Sequence, residues 1–283
     1  MCRRARYNEC VETRRMCPNC RAFITTSDKV CPYCDIKLGA PAAVRRAPAD
    51  LLGGLIPHAR FTTVVILLIN AGLYLAESLP GLISGSDATG MPLSNAGAKF
   101  GPYIQAGQWW RLLTAGFLHG GIFHLLMNSW VLFDLGAATE ESYGTSRFLV
   151  FYFASTITGF YASYLWHPGV PSVGSSAGIF GLLGAMIALG MRDKSSYGAA
   201  IRAHYVQWAI YGLLMGVLPF FPIDNAAHIG GVAGGFAIAY VAGTPRLTGY
   251  GERLWQFAGA AAVGLTAIAF AFMFRWMMTV GRL

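Results

Sequence analysis

The chain has little charge. Only 12% of its 283 residues are Asp, Glu, Lys or Arg, against roughly 25% in an ordinary soluble domain. That charge is crowded towards one end. Residues 1–60 carry 16 of the 34 charged side chains, 11 basic and 5 acidic, while the remaining 223 residues carry 18. Cysteine is missing altogether after Cys34. The long apolar composition excludes a disordered chain, the scarcity of charge excludes a simple soluble enzyme, and the clustered cysteines exclude a disulfide-stapled secreted miniprotein. The opening MCRRARYNEC has no apolar stretch and no small-residue cleavage site, so it does not read as a secretory signal peptide. What is abundant is apolar: 55% of residues are hydrophobic, and 35 are glycine. Two unlike segments are joined.

In the first segment four of the six cysteines form two knuckles, Cys17-Pro-Asn-Cys20 and Cys31-Pro-Tyr-Cys34, ten residues apart. Each C-x-x-C pair can bring two thiolates to one ion, and two pairs complete a closed tetrahedral sulfur site, for which zinc is the default metal. A pair of redox dithiols is the competing reading. A closed site has no position left for substrate, so the expected Zn2+ is structural and no metal is expected in catalysis. Metal would also supply stability that so short a segment cannot draw from a core. Residues 1–38 resemble a small zinc ribbon, and 39–60 form a Pro/Ala/Gly linker. Cys2 and Cys10 have no assigned partner.

From Phe61 onward, apolar runs recur at lengths suited to crossing a bilayer, which takes about 20 residues per helix. Seven are expected, over about 61–79, 121–138, 148–166, 174–190, 203–220, 225–242 and 255–277. The fold class is therefore all-α, a polytopic membrane helical bundle carrying a small N-terminal zinc ribbon. Lysine and arginine set its orientation. With the basic arm inside, 17 of the 21 lysines and arginines fall on the inner side and 4 on the outer. The amino terminus is expected in the cytoplasm, where thiols stay reduced and available to metal.

That orientation starts the second, fourth and sixth runs at the outer face, and their polar residues lie close to those starts. The second run holds His124 and Asn128, an i,i+4 pair on one face. The fourth holds Ser175 and Ser176, and the sixth follows Asp224 and Asn225 with His228. At about 1.5 Å per residue, His124, Asn128, Ser176 and His228 lie roughly 5–10 Å deep. The fourth run also carries Gly174, Gly178, Gly181 and Gly184, and the sixth carries Gly231 and Gly235 in G-x-x-x-G spacing, which lets helices approach closely in lipid. If those two runs are neighbours, Ser176 and His228 share one level of a single contact.

A serine hydroxyl becomes a nucleophile when a histidine accepts its proton. An acyl-transfer site also needs donors for the oxyanion, which Asn, His and the N–H groups at a helix start can supply. Each residue alone has a blander reading. Intramembrane serines commonly bond to their own helix backbone, and an asparagine can simply cross-link helices. A histidine within a membrane, however, is a functional candidate by default. Their coincidence at one depth favours chemistry.

The same residues carry a family resemblance. Trp110-Arg111, His119-x4-His124-x3-Asn128, Glu140-x3-Gly144, Gly174-Ser175-Ser176-Ala177-Gly178 and Ala227-His228-x2-Gly231-x3-Gly235 occur in this order. The chain resembles the rhomboid intramembrane serine proteases over about residues 60–243. The resemblance implies a six-helix core over 61–243, with 244–283 holding a loop and an additional transmembrane helix. It implies Ser176 as nucleophile, His228 as general base, and His124, Asn128 and the Ser176 N–H as the oxyanion hole. It further implies that His119 and Trp110-Arg111 hold the long first loop, that Glu140 and Gly144 are structural, and that Phe220–Asn225 caps the site. Three features depart from the family pattern. Ala177 stands where many members have glycine, Ser175 lies beside the nucleophile, and Asp134 interrupts the second run without an evident role. Asp224 tempts towards a triad but reads better as a helix cap with Asn225.

The expected activity is that of an intramembrane serine endopeptidase acting through an acyl-enzyme on or near transmembrane segments. Its partners are transmembrane protein substrates and the lipid bilayer, with no nucleic acid, and its expected home is a bacterial plasma membrane with the site open to the outer face. A cytoplasmic protein is one partner open to the ribbon. The alternative is a non-catalytic rhomboid-like protein that binds membrane helices, although Ser and His are both retained. A transporter with an ion site is a third class, disfavoured because the polar residues are shallow and the bundle nearly uncharged.

Overall fold

In a computed structural model, the described residues are 14–17, 23–25, 28–38, 61–84, 93–218, 222–243 and 250–280. The chain forms two compact units, Met1–Leu55 and Ile56–Leu283.

In the first unit, β1 (Arg14–Met16) and β2 (Phe23–Thr25) pair antiparallel with Arg15 opposite Ile24. Cys17, Ile24, Cys31 and Leu38 are buried together, with Cys34 packed against them. The chain folds back after Cys31: the Asp35 N–H donates to the Cys31 carbonyl at 3.0 Å and the Cys31 N–H to the Ile36 carbonyl at 2.9 Å. So small an apolar cluster stabilises little by itself. The linker 39–60, with Cys2, Cys10 and Cys20, lies outside the described residues.

The second unit is all-α. Its elements are α1 (Phe61–Ser84), α2 (Leu93–Ala96), α3 (Gly101–Gln105), α4 (Arg111–Thr114), α5 (Ile122–Tyr143), α6 (Thr145–Trp166), α7 (Ser176–Arg192), α8 (Ser196–Met215), α9 (Asn225–Ala242) and α10 (Tyr250–Val280). A long helix occupies each of the seven expected runs. Among the described residues, α1, α5, α6 and α10 each contain a stretch long and apolar enough to cross a membrane. Helix α7 is a shorter apolar helix, and α9 is diluted by Asn225, His228 and its glycines. The fold is a polytopic membrane helical bundle.

The boundaries differ where apolarity stops being the cue. Helix α8 begins at Ser196, seven residues before the expected start, because Ser195 caps it by accepting from the Gly198 N–H at 3.2 Å. Helices α5 and α6 meet at a single residue, Gly144, whose φ of +79° turns the chain between them. A side chain is strained there, which explains glycine.

Helix α7 is the hub. It packs most extensively against α9 and also contacts α5, α6 and α8. A Cβ on Gly235 would meet the carbonyl carbon of Gly181 at 2.6 Å, and one on Gly184 would meet the Phe236 nitrogen at 2.8 Å. Backbone lies against backbone at these points, as close packing in lipid requires. Phe148, Phe151, Tyr152, Leu132 and Leu182 fill the core around it.

The segment between α1 and α5 is tied down by two buried cations. Arg111 donates to Gln108 Oε1 at 2.7 Å and to the carbonyls of Ser94 and Ala98 at 2.6 and 3.0 Å. Its guanidinium also lies over the rings of Tyr103 and Trp110, at 4.5 and 4.7 Å from their centroids. Lys99 exchanges two 3.0 Å backbone bonds with Ser172, and its Nζ donates to the carbonyls of His167 and Val170. The loop leading into α7 is thereby fastened to the loop leading into α5.

Candidate active site

Helix α7 starts at Ser176. Two residues earlier, Gly174 has φ +127° and donates its N–H to the Ala115 carbonyl at 2.9 Å. A Cβ on Gly174 would lie 2.7 and 2.8 Å from Cε1 and Nε2 of His124, and 3.4 Å from Asn128 Nδ2. Only glycine suits this position, both for its backbone angle and for the two side chains pressed against it. His124 and Asn128 stand one turn apart on α5 and therefore reach the same point, as their i,i+4 spacing requires. Asn128 is 9% exposed, and among the described residues its Nδ2 has no hydrogen-bond acceptor. A buried donor without a partner costs free energy.

Ser175 and Ser176 diverge. Ser175 is fully buried, its Oγ 3.5 Å from His119 Nε2, whereas Ser176 is partly exposed. His119 in turn meets the His124 ring edge to face, centroids 5.2 Å apart. Of the two serines, Ser176 is the one that keeps accessible surface. The N–H groups of the first turn of α7 have no partner within their own helix, and the positive end of the helix dipole lies there.

His228 is in the first turn of α9 and 5% exposed. Its ring stacks on Phe180 of α7, centroids 3.8 Å apart and planes 10° from parallel. Among the described residues its Nδ1 has no hydrogen-bond partner, and no hydrogen bond joins it to Ser176. Catalytic hydrogen bonds commonly tighten only once substrate is bound. What holds the two residues at one level is Gly159 of α6. A Cβ there would lie 2.6 Å from the Ala227 carbonyl and 2.8 Å from the Ala177 Cβ, the residues adjoining His228 and Ser176. The methyl of Ala177 is accommodated by Gly159, while Gly231 faces the Ala177 carbonyl.

Asp224 does not orient His228. One carboxylate oxygen caps α9 by accepting from the Ala227 N–H at 3.0 Å, and the other accepts from Ser163 Oγ. Asn225 donates to the Leu213 carbonyl at 3.1 Å and so ties α9 to α8. Of the segment Phe220–Asn225, residues 222–225 are described and Phe220 and Phe221 are not. At the opposite end of α5, Glu140 Oε1 accepts from Thr62 at 2.7 Å and Thr145 at 2.6 Å, joining α1, α5 and α6.

Phe180 and Gly159 carry positioning roles that the sequence did not reveal. Both are ordinary residues of apolar helices, and only the helix neighbours give them meaning. Lys99, one of three charged residues between α1 and α5 with Asp87 and Arg111, was the available signal for the tether to Ser172.

In the first unit, the sulfurs of Cys17, Cys31 and Cys34 all lie within 4.8 Å of one another, and Cys17 and Cys34 are 3.7 Å apart. Tetrahedral thiolates about 2.3 Å from zinc stand about 3.8 Å apart. The three cysteines fit a metal, and the fourth, Cys20, lies outside the described residues.

The model of the rhomboid domain matches residues 106–245, which contain the whole constellation around Ser176. The rhomboid YdcA of Bacillus subtilis (strain 168) is 32% identical over 180 residues, 62% of this chain and 85% of YdcA. The chain belongs to the rhomboid family. The rhomboid protease GluP of the same organism is 37% identical over 214 residues, 76% of this chain but 40% of GluP. The chain thus spans less than half of GluP. An inactive rhomboid-like protein 8 of Arabidopsis thaliana is 40% identical over 124 residues, 43% of this chain and 35% of that protein. Family membership makes this rhomboid an integral membrane protein. It does not by itself decide catalysis, which rests on the residues.

Proposed function

We propose that this rhomboid is an intramembrane serine endopeptidase working through a Ser176–His228 dyad. One observation carries the reading: His124 and the unpartnered Asn128 Nδ2 converge on Gly174, at the unsatisfied N–H end of α7 where Ser176 is partly exposed. That arrangement suits an anion forming beside the Ser176 hydroxyl. In the reaction, Ser176 Oγ attacks the scissile carbonyl carbon and His228 accepts its proton. The tetrahedral oxyanion is held by His124, Asn128 and the Ser176 N–H. Collapse expels the amine, which takes the proton from His228, and leaves an acyl-enzyme. Water, activated by His228, then releases the acid and restores the serine.

The membrane core is residues 61–243, with 244–283 adding a loop and α10. The lysine and arginine distribution supports an N-in topology, with the site near the outer surface. Residues 1–38 are a cytoplasmic zinc ribbon with Cys17, Cys20, Cys31 and Cys34 as ligands, joined by the 39–60 linker. Substrates are transmembrane proteins with segments that unwind readily, as small or helix-breaking residues permit.

A catalytically silent, helix-binding role is the second reading, favoured by the inactive relative. A serine-directed fluorophosphonate separates the two. The protease reading expects labelling and cleavage of a transmembrane reporter in liposomes, both abolished in Ser176→Ala and His228→Ala and retained in Ser175→Ala. Labelling that survives Ser176→Ala overturns it.

A further inference from the structure

Asp134 lies twelve residues beyond Ile122 on α5, about 18 Å along the helix at about 1.5 Å per residue. It is exposed on a helix apolar and long enough to cross a membrane. An ionisable group in such a place is costly and marks function by default. Among the described residues no basic side chain pairs with it. It plays no part in the chemistry around Ser176, since it lies ten residues beyond His124, about 15 Å further along α5.

Its surroundings give it a direction. One turn earlier, Trp130 meets Trp208 of α8 edge to face, centroids 6.4 Å apart. Helices α5 and α8 make little other contact. Asp134 lies one turn beyond Trp130 on the same face of α5. Trp130 is 62% and Trp208 40% exposed. This face therefore offers exposed aromatic rings with an exposed carboxylate one turn beyond Trp130. Aromatic faces and a carboxylate favour the same guest, a cation on an apolar stem.

We propose that Asp134 selects among substrate transmembrane segments that pass along this face of α5, favouring those that carry a lysine or arginine opposite it. The site fixes where that residue falls: about ten residues, along a helical segment, from the scissile bond. Such a segment loses an unpaired charge in lipid as it binds, and Asp134 loses its own. The selection uses the protease reading for its consequence, but it acts at binding and is measurable without turnover.

The test uses the full chain in liposomes and a set of transmembrane reporters differing at one position, Leu, Lys or Asp. Wild type is expected to prefer the Lys reporter over the Leu reporter about tenfold in kcat/KM. In Asp134→Asn that ratio falls to about one, and in Asp134→Lys the preference moves to the Asp reporter. Taking ratios within each variant removes differences in folded fraction. The same ratios are then read as Kd for fluorescent Lys and Leu peptides bound to Ser176→Ala, with and without Asp134→Asn. Equal affinity for both peptides, or a Lys preference that survives Asp134→Asn, overturns the proposal. A Lys preference in binding that depends on Asp134, with no cleavage of any reporter by wild type, upholds it and overturns the protease reading instead.

Discussion

The imidazole of His228 lies flat on the ring of Phe180, 3.8 Å between centroids, and Phe180 is one turn along α7 from Ser176. The far edge of Phe180 abuts Gly212 of α8, so the stack is backed by a third helix. A histidine without a carboxylate partner needs something else to fix its ring, and this aromatic face does so. Phe180→Leu keeps most of the volume but loses the flat surface. An aromatic stack is worth about 0.5–1.5 kcal/mol, so fluorophosphonate labelling of Ser176 is expected to slow about three- to tenfold. An unchanged labelling rate would show that the ring merely fills space.

Asp224 tests the dyad directly. In a triad, replacing the carboxylate by its amide costs about 10,000-fold in kcat. Here the carboxylate caps α9 and bonds Ser163, and an amide oxygen can still cap. Asp224→Asn is expected to keep reporter cleavage within about threefold, whereas Asp224→Ala loses the cap and about 1 kcal/mol of stability. A loss of a thousandfold or more in Asp224→Asn would restore the triad reading.

The same residue predicts an acid dependence. Burial pushes the Asp224 carboxyl up, but hydrogen bonds from Ser163, Ser172 and the Ala227 N–H, with the nearby Lys99 charge, outweigh it and hold the group below its usual range. A lowered folded-state pKa contributes stability that is present above the unfolded value, about 3.9, and is lost as pH falls through the folded value. Thermal midpoints in detergent should therefore drop as the pH is taken below about 4. Asp224→Asn should flatten that part of the curve, and an identical acid slope in the variant would assign it to other groups.

Glycine packing divides into positions that matter and positions that do not. A Cβ on Gly235 meets the backbone of Gly181 at 2.6 and 2.7 Å, whereas one on Gly264 of α10 or Gly72 of α1 meets nothing within 4 Å. Gly235→Ala is expected to push α7 from α9 and cost about 1–3 kcal/mol, with loss of Ser176 labelling. Gly264→Ala should leave both unchanged or raise the midpoint slightly, since alanine is the better helix former. Equal effects at the two positions would deny α7–α9 contact its role.

Much of this was legible because lipid imposes simple rules. Seven apolar runs became seven helices, since a backbone in lipid must satisfy itself. The glycines marked the α7–α9 contact, and Asp224 read as a cap from its place before a helix. The short helices α2, α3 and α4 were invisible because they follow no hydropathy period and are held by Arg111 and Lys99. The start of α8 was missed because its first turns are polar. Phe180 and Gly159 escaped for a different reason. Their roles exist only between helices, and no pattern along one chain records which helix faces which.

The cysteine cluster yields the last prediction. Cys17 and Cys34 sulfurs stand 3.7 Å apart, too far for a disulfide and close to the spacing around a tetrahedral zinc. If Cys20 is the fourth ligand, as its motif proposes, the site is closed to substrate. The purified full chain is expected to hold about one zinc, and cobalt replacing it should give the thiolate charge-transfer band of a tetrahedral sulfur site. Cys31→Ser should remove most of the metal and that band. Because a closed site offers no position for water or carbonyl, the same variant should keep its Ser176 labelling rate. Metal retained in Cys31→Ser would reject this ligand set, and labelling lost together with the metal would make the ion part of the catalytic machinery rather than of the fold.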